Sequence, residues 1–289
     1  MGWFGRVKQA FSGGRLDVRA RFDLLREAIA GTMSKFYMAR DRHTGQIVGL
    51  KILDPAKTAA FEARFKNLRR PREGEIAMQF DHPHIVTTFE HGLTTEGRQY
   101  LVMEYLGGPG MGFMIASKDA RLEGNRVRFL RQAAEALAAV HAAGFIHRDV
   151  CPRNLIFTAD CQAVKLTDFG LTVPATPPFM QPGNRTGTPN YMAPELVRRQ
   201  ATDQRVDVFA FGVTAYQVCT ASLPWESGDT GLAAMTHDHP PADIRQYRPT
   251  INDELARAIH ACIEADLKKR CPSMDTFLRR IKAIEHEDA

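Results

Sequence analysis

The chain is predicted to fold as an α+β protein of two lobes, a small strand-rich front and a larger helix-rich back. Its 289 residues, 44% hydrophobic and 25% charged, suffice for one large domain or for two lobes sharing a cleft. Strand-like alternation crowds the front, as in Phe36–Leu53, "FYMARDRHTGQIVGLKIL". Behind residue 110 the period lengthens, and Phe129, Ala133, Leu137 and Val140 recur at helical spacing.

Residues 1–20 read as a basic N-terminal extension broken by Ser12-Gly13-Gly14. Trp3, Phe4, Val7 and Phe11 would share one face of a short helix, which is either an anchor on a membrane surface or a tail resting on the body of the protein. Gly2 is not followed by the Ser or Thr at position 6 of a myristoylation signal. The front lobe, 21–104, begins with a strand, a polar turn at His43-Thr44-Gly45 and a second strand; a helical pattern around residues 58–80 follows. The strand "QYLVMEYL" then ends at the glycine-rich "GGPGMG", so a hinge is placed near 104–110. In the back lobe, 105–286, "VRFLRQAAEALAAVHAAGF", "VDVFAFGVTAYQVCTA" and "DELARAIHACIEA" read as helices. No internal repeat or low-complexity tract is present, "PATPPFMQPGN" being short.

Residues 1–72 hold 16 Lys and Arg against 6 Asp and Glu, and the remainder 22 against 27. The basic residues interleave with apolar ones and form no block, which predicts solvated faces and no nucleic-acid partner. No apolar run reaches the roughly 18 residues of a membrane span, and the start lacks a secretory pattern, so the cytoplasm is predicted. Five scattered cysteines without a CxxC pair point to reduced thiols and away from a disulfide framework or a structural zinc site. The His-containing "THDHP" at 236–240 reads as a polar loop before Pro240-Pro241.

The stretch "FIHRDVCPRNLIF", residues 145–157, sets His147, Arg148, Asp149, Arg153 and Asn154 between two apolar runs. Burying such charges without partners costs several kcal/mol, so the cluster needs counter-ions, a metal or a cleft. Fourteen residues after Asn154, Asp168 follows a further apolar run in "KLTDFGLTV". Two strands ending in carboxylates, with an amide between them in sequence, suit divalent cations that prefer oxygen ligands.

These motifs resemble those of the eukaryotic-like (Hanks-type) protein kinases. "HRDVCPRN" matches the catalytic-loop pattern H-R-D-x-x-x-x-N, and "DFG" is the metal-binding motif. "IVGLKIL" stands at V-A-I-K and puts Lys51 on the third strand; "PREGEIAMQFDHPHIV" resembles the C helix, with Glu73 as partner of Lys51. "GTPNYMAPE" closes the activation segment at Glu195, whose implied ion-pair partner is Arg270 in "KKRCPS"; Asp207 in "VDVFAFG" and His147 look like scaffold residues. The blocks occur in family order over roughly residues 22–282.

The resemblance implies a bilobal kinase fold with one main helix in the small lobe, and transfer of the γ-phosphate of ATP, with Mg2+ or Mn2+, to a hydroxyl of a protein substrate. Lys51 would hold the α and β phosphates, with Glu73 fixing its direction; alone, each would read as an exposed charge. Asn154 and Asp168 would ligate the metal, and Asp149 would orient the acceptor hydroxyl and take its proton. Met103 would lie behind the adenine, Glu104 and Leu106 would bond its edge through the backbone, and Gly49, Gly31 and Ile156 would complete the nucleotide's surroundings.

Several positions depart from the family's pattern. The G-x-G-x-x-G loop is represented by Ile29, Gly31 and Ser34; only the middle glycine is kept, and the side chains of Ile29 and Ser34 would lift the loop or weaken nucleotide binding. That sustains an alternative, a pseudokinase serving as a nucleotide-binding or scaffolding module; a small-molecule kinase is disfavoured by "GTPNYMAPE". Cys151 stands where serine/threonine kinases carry Lys, and Arg153 resembles the arrangement of a class of tyrosine kinases, although Thr188 keeps the serine/threonine manner. Cys151 is either inert and half-buried or, near Arg148 and Arg153, an oxidisable thiol of lowered pKa. Arg148 suggests control by loop phosphorylation, for which Asn184 occupies the usual place and Thr172, Thr176 and Thr186 remain.

Overall fold

Local capping starts the chain's ordered part. Asp17 accepts from the N–H groups of Arg19 and Ala20 at 2.9 and 3.0 Å, which nucleates the one-turn helix α1 (Val18–Arg21). β1 (Phe22–Glu27) follows directly and pairs antiparallel with β2 (Ser34–Asp41). The computed structural model describes residues 15–27, 34–65, 68–183, 186–225, 237 and 239–288. The reading of residues 1–14 as a helix, and Ile29 and Gly31 of the glycine-rich loop, lie outside the described residues.

The polar turn after β2 is real: Gly45, at φ 72°, adopts a conformation that side chains disfavour, and β3 (Ile47–Leu53) runs back with Phe36 opposite Lys51. Pro55 at the first turn and Asp54 as cap start α2 (Pro55–Glu62). The helical pattern over 58–80 is realised as two short helices, α2 and α3 (Glu73–Ala77), not as one. α2 stops at the C-cap Ala63, before Pro71 is reached; beyond the proline Arg72 is extended, at ψ 156°, and its N–H donates to Glu75 Oε2 at 2.8 Å to start α3 afresh.

β4 (Thr88–Leu93) and β5 (Gln99–Glu104) complete the sheet, which among the described residues has five strands in the order β1-β2-β3-β5-β4. Its core packs Phe22, Ala39, Val48, Leu50, Tyr100 and Val102. Arg21 crosses the sheet to Asp41 (2.9 Å) and Glu90 (2.8 Å), and Tyr100 also donates to Glu90. Leu106 closes this compact unit and Gly107 opens a second.

In the second unit β6 (Gly107–Gly110) leads into α4 (Met111–Ala116) and then α5 (Arg126–Ala142), whose buried face includes Phe129, Ala133, Leu137 and Val140. β7 (Phe145–Ile146) precedes the loop of the "HRD" motif, β8 (Leu155–Thr158) pairs with β6 and with β9 (Val164–Leu166), and β10 (Val173–Pro174) pairs with β7. α6 (Pro194–Val197) ends the activation segment. α7 (Arg205–Thr220) is buried almost all round, with α8 (Asp253–Cys262) against it and α9 (Met274–Arg280) against α5 and α8. A helix apolar on every side belongs at a core's centre, which is where α7 lies. The chain's end is tied back: Glu287, fully buried, accepts from Arg126 at 2.8 Å and from the N–H of Gly124 at 2.7 Å.

Gly212 is what lets α8 approach α7, since a Cβ there would lie 2.6 Å from Cys262 Cβ and 2.7 Å from Ile263 Cγ2. Gly212→Ala would gain about 1 kcal/mol of helix propensity, but overpacking of this kind costs about 1–3 kcal/mol. The variant is expected to be less stable by up to about 2 kcal/mol, read as a lower urea midpoint with unchanged slope.

Candidate active site

The loop between β7 and β8 owes its shape to a carboxylate on α7. Asp207, fully buried, accepts from the N–H groups of His147 and Arg148, both at 2.7 Å, and pairs with His141 Nε2 at 2.9 Å. Complete burial alone would push this carboxyl up; His141 and the Arg148 amide more than offset it and hold it below the usual carboxylate value of 3.8. Arg148 can accept this role only in the left-handed region, at φ 67°. The fully buried His147 ring packs edge-on against Phe169, centroids 5.3 Å apart, and its Nδ1 accepts from the N–H of Asp149 at 3.3 Å.

That support presents Asp149, itself 8% exposed, to four donors. Oδ1 accepts from the hydroxyl of Thr188 at 2.7 Å and from its N–H at 3.1 Å. Oδ2 accepts from Asn154 Nδ2 at 2.9 Å and from Arg153 at 3.3 Å. Arg153 also donates to the Thr188 hydroxyl at 3.1 Å, so its cation bridges the carboxylate and the activation segment. The contact of Thr188 with Asp149 is the member that sequence reasoning missed; "GTPNYMAPE" held the signal, but only as a motif letter.

Asn154 and Asp168 meet through the β8–β9 hairpin. Leu155 pairs with Leu166, and Asn154 O accepts from the N–H of Thr167 at 2.9 Å, so Asn154 stands one residue before β8 and Asp168 two beyond β9, at the same end of the ladder. The Asn154 amide donates from Nδ2 to Asp149 O at 2.7 Å as well, which leaves its Oδ1 as the outward group. Asp168 is left-handed, at φ 66°, and one of its oxygens accepts from the N–H of Gly170 at 3.1 Å. A donor set made only of amide and carboxylate oxygens fits Mg2+, which takes one or two protein ligands and fills its remaining positions with phosphate and water.

In the first unit Lys51 Nζ meets Glu73 Oε1 at 2.6 Å, with Lys51 7% and Glu73 4% exposed. The pair joins β3 to the first turn of α3, where a negative charge also suits the helix dipole. Gly74 permits the approach of α3 to β4, because a Cβ there would strike the His91 side chain at 2.3 Å. Gly49 lies opposite Met103 in the β3–β5 ladder; Met103 is buried, and the space over Gly49 is taken by Phe36 and Met103. Glu104 donates its N–H to Thr87 O at 2.9 Å and accepts from the N–H of Thr87 at 2.7 Å. Ser34 is the first residue of β2, opposite Leu53; in the second unit Ile156 is half-buried on β8, opposite Gly110 and Lys165.

The activation segment is anchored at its end by a buried, bidentate pair, Arg270 to Glu195 at 2.6 and 3.0 Å, the partnership the sequence implied. Arg148 donates to Phe179 O at 2.8 Å and to Thr202 Oγ1 at 3.4 Å, thereby holding the segment through a backbone carbonyl. Of the threonines considered for modification, Thr172 and Thr186 are buried and Thr176 is exposed; Asn184 lies outside the described residues. His237 donates from Nδ1 to Met192 O at 2.7 Å and its ring lies tilted against Trp225, centroids 4.5 Å apart, while Thr236 and Asp238 of the same loop lie outside the described residues. Cys151 is fully buried rather than half-buried, and burial, then the Asp149 carboxylate, pushes its thiol up to about 11. Of the two readings of Cys151, this environment favours the inert thiol over the low-pKa, oxidisable one: Arg148 is turned to Phe179, and the influence of Arg153 does not offset desolvation.

A buried lysine paired with a glutamate in one unit, and an amide and two carboxylates in the other, are the residue types that a phosphoryl-transfer domain uses. Residues 26–280 match the protein kinase domain, and the chain belongs to that family. It is 30% identical over 274 residues to the serine/threonine-protein kinase pkn3 of Myxococcus xanthus, covering 89% of this chain and 48% of that protein. To the serine/threonine-protein kinase Pkn1 of Myxococcus xanthus it is 32% identical over 266 residues, covering 89% and 37%. With mouse ribosomal protein S6 kinase alpha-2 it shares 33% identity over 214 residues, 73% of this chain and 28% of that one. The chain thus spans about half or less of the length of these curated relatives. Among the described residues no helix is long and apolar enough to cross a membrane.

Because the folded-state pKa of Asp207 is depressed, the stability it contributes is complete above the ordinary value of 3.8 and is lost as pH falls below that value through the folded one. Asp207→Asn is expected to lose about 1.5–3 kcal/mol at neutral pH, the range for hydrogen bonds to a charged group. Denaturant titrations of both proteins should show that gap intact above the carboxylate range and narrowing in more acidic buffers.

Proposed function

We propose that the chain is an ATP-dependent protein kinase that phosphorylates serine or threonine hydroxyls of a protein substrate. The observation that carries this reading is the buried Lys51–Glu73 pair. A buried ion pair is often no more stabilising than apolar residues of the same volume, so the fold alone gives little reason to keep one. A cation aimed by its partner is what a triphosphate requires.

In this reading Lys51 draws the α and β phosphates out of water, and Glu73 prevents its amine from swinging away. Met103 and Gly49 shape the purine's surroundings, Glu104 and Leu106 offer backbone groups to its edge, and Ile156 and Gly31 complete the contact. Asn154 Oδ1 and Asp168 would hold Mg2+, which when bound screens the phosphate charge. Asp149, held by Asn154, Arg153 and Thr188, orients the acceptor hydroxyl and takes its proton as that oxygen bonds to the γ-phosphorus and the bond from the γ-phosphorus to the bridging oxygen breaks, ADP leaving. Arg153, 62% exposed in its side chain and within reach of Asp149, supplies the cation that Cys151 does not. The relatives named as serine/threonine kinases, and Thr188 on Asp149, favour that acceptor over tyrosine. A soluble cytoplasmic site of action is part of the same proposal.

The substitutions Ile29 and Ser34 in the glycine-rich loop favour a second reading, a nucleotide-binding module without transfer. Purified protein incubated with labelled ATP, Mg2+ and a generic protein substrate distinguishes them. Transfer is expected, with a loss of about 10²- to 10⁴-fold in Asp149→Asn and a comparable loss in Asp168→Asn. Equal signal from all three would mean a contaminant, and ATP binding without any transfer would establish the second reading. Arg153→Ala is expected to lower kcat by about tenfold, about 1.4 kcal/mol of transition-state stabilisation, with Arg153→Lys retaining part of it; equal rates would remove Arg153 from the site.

A further inference from the structure

The sheet of the first unit has two faces. Val48 and Leu50 on β3 turn one of them into the core, with Ala39 and Val102. Gly49 and Lys51 alternate with these residues, so their side belongs to the other face. The registers set the neighbours there: Phe36 stands opposite Lys51, and Met38 and Met103 stand opposite Gly49 on either side. An aromatic ring thus rises from the same face as the amine that the proposed function gives to the phosphates.

That ring does not stay beside its register partner. It reaches diagonally to Gly49, a distance that aromatic side chains can span across an antiparallel pair. A Cβ on Gly49 would lie 2.7 Å from Phe36 Cζ, 3.0 Å from Phe36 Cε2 and 3.1 Å from Met103 Cγ. The backbone of Gly49 is not left-handed, so torsion gives no reason for glycine here, and glycine inside a strand weakens it. What the missing side chain provides is a seat for the ring. Met103 beside it is buried, whereas Phe36 is only half-buried, which leaves part of the ring's surface open.

We propose that Phe36 is a base-binding residue: its ring, seated on Gly49, is the surface on which the base of a purine nucleoside triphosphate stacks while Lys51 takes the phosphates. The inference rests on the nucleotide reading of Lys51 and adds to it the group that meets the base. Gly49 and Lys51 are separated by two residues, about 7 Å along a strand, room for the sugar that joins a base to its phosphates. An aromatic ring stacks on any base because every base has a π-face, and the larger face of a purine gains more from it. The base would therefore meet the ring where it would otherwise meet the strand, and Gly49 acts through Phe36, by giving the ring its place.

The test is calorimetric titration of the full chain with Mg-ATP and, separately, with magnesium tripolyphosphate, which carries the phosphates and no base. Phe36→Leu keeps apolar bulk and loses the ring; it is expected to bind ATP about tenfold more weakly, within the range for a base stacked on an aromatic side chain, and tripolyphosphate as the wild type does. Phe36→Tyr, which keeps the ring, is expected to retain ATP affinity. Gly49→Ala is expected to weaken ATP because its methyl displaces the ring, and to add little to Phe36→Leu, as residues in contact do not act additively. The proposal is overturned if Phe36→Leu binds ATP as well as the wild type, or more tightly, the latter making the ring a plug over the place of the base. Additive losses from Phe36→Leu and Gly49→Ala would overturn the seating of the ring on Gly49. A wild-type chain that binds tripolyphosphate as tightly as ATP overturns the stacking alone; one that binds neither overturns the reading of Lys51 itself.

Discussion

The loop that bears Asp149 hangs from Asp207. Two successive amides, those of His147 and Arg148, point at one buried carboxylate on the most deeply buried helix of the second unit. Neither N–H could be left unmet at such depth without a penalty of about 1–3 kcal/mol. The need for a partner and the position of that partner together decide where the next residue goes. From there the consequences follow by bonding alone. His147 seats Phe169 and the amide of Asp149, Asp149 gathers Asn154, Arg153 and Thr188, and Asn154 ties the loop to the residue preceding Asp168.

The same reasoning applies to the other buried charges. Lys51 with Glu73, Arg270 with Glu195 and Arg126 with Glu287 each place two full charges where water is scarce. Desolvation takes back most of what Coulomb attraction provides, while losing one partner leaves a bare ion behind. Such pairs therefore do little for net stability and much for position: β3 to α3, the end of the activation segment to the segment after α8, and the chain's end to the start of α5.

The parts most legible in the sequence were those whose chemistry dictates residue type. Asp149, Asn154 and Asp168 stood out as polar groups set beside apolar runs, Lys51 only through its place in the family's motif order, and the change from period two to period 3.6 separated sheet from helices. The interruption between α2 and α3 was readable in part from Pro71, but apolar periodicity on both sides of it suggested one helix. For Cys151 the sequence left an inert and an oxidisable reading open, because its neighbours are basic, whereas its environment is set by depth and by the direction each arginine takes. Thr188 on Asp149 and Glu287 on Arg126 join residues 39 and 161 positions apart in the chain. No local pattern encodes such distances.

Arg148 and Asp168 share a further property, a left-handed backbone at φ 67° and 66°. In that region a branched Cβ collides with the following carbonyl, and each such residue is less comfortable by roughly 1–2 kcal/mol. Valine, isoleucine and threonine are thus barred from both places by shape, before any question of charge arises, while asparagine is among the few replacements the main chain accepts readily. The mutational paths open to this loop are narrowed by torsion first and by reactivity second.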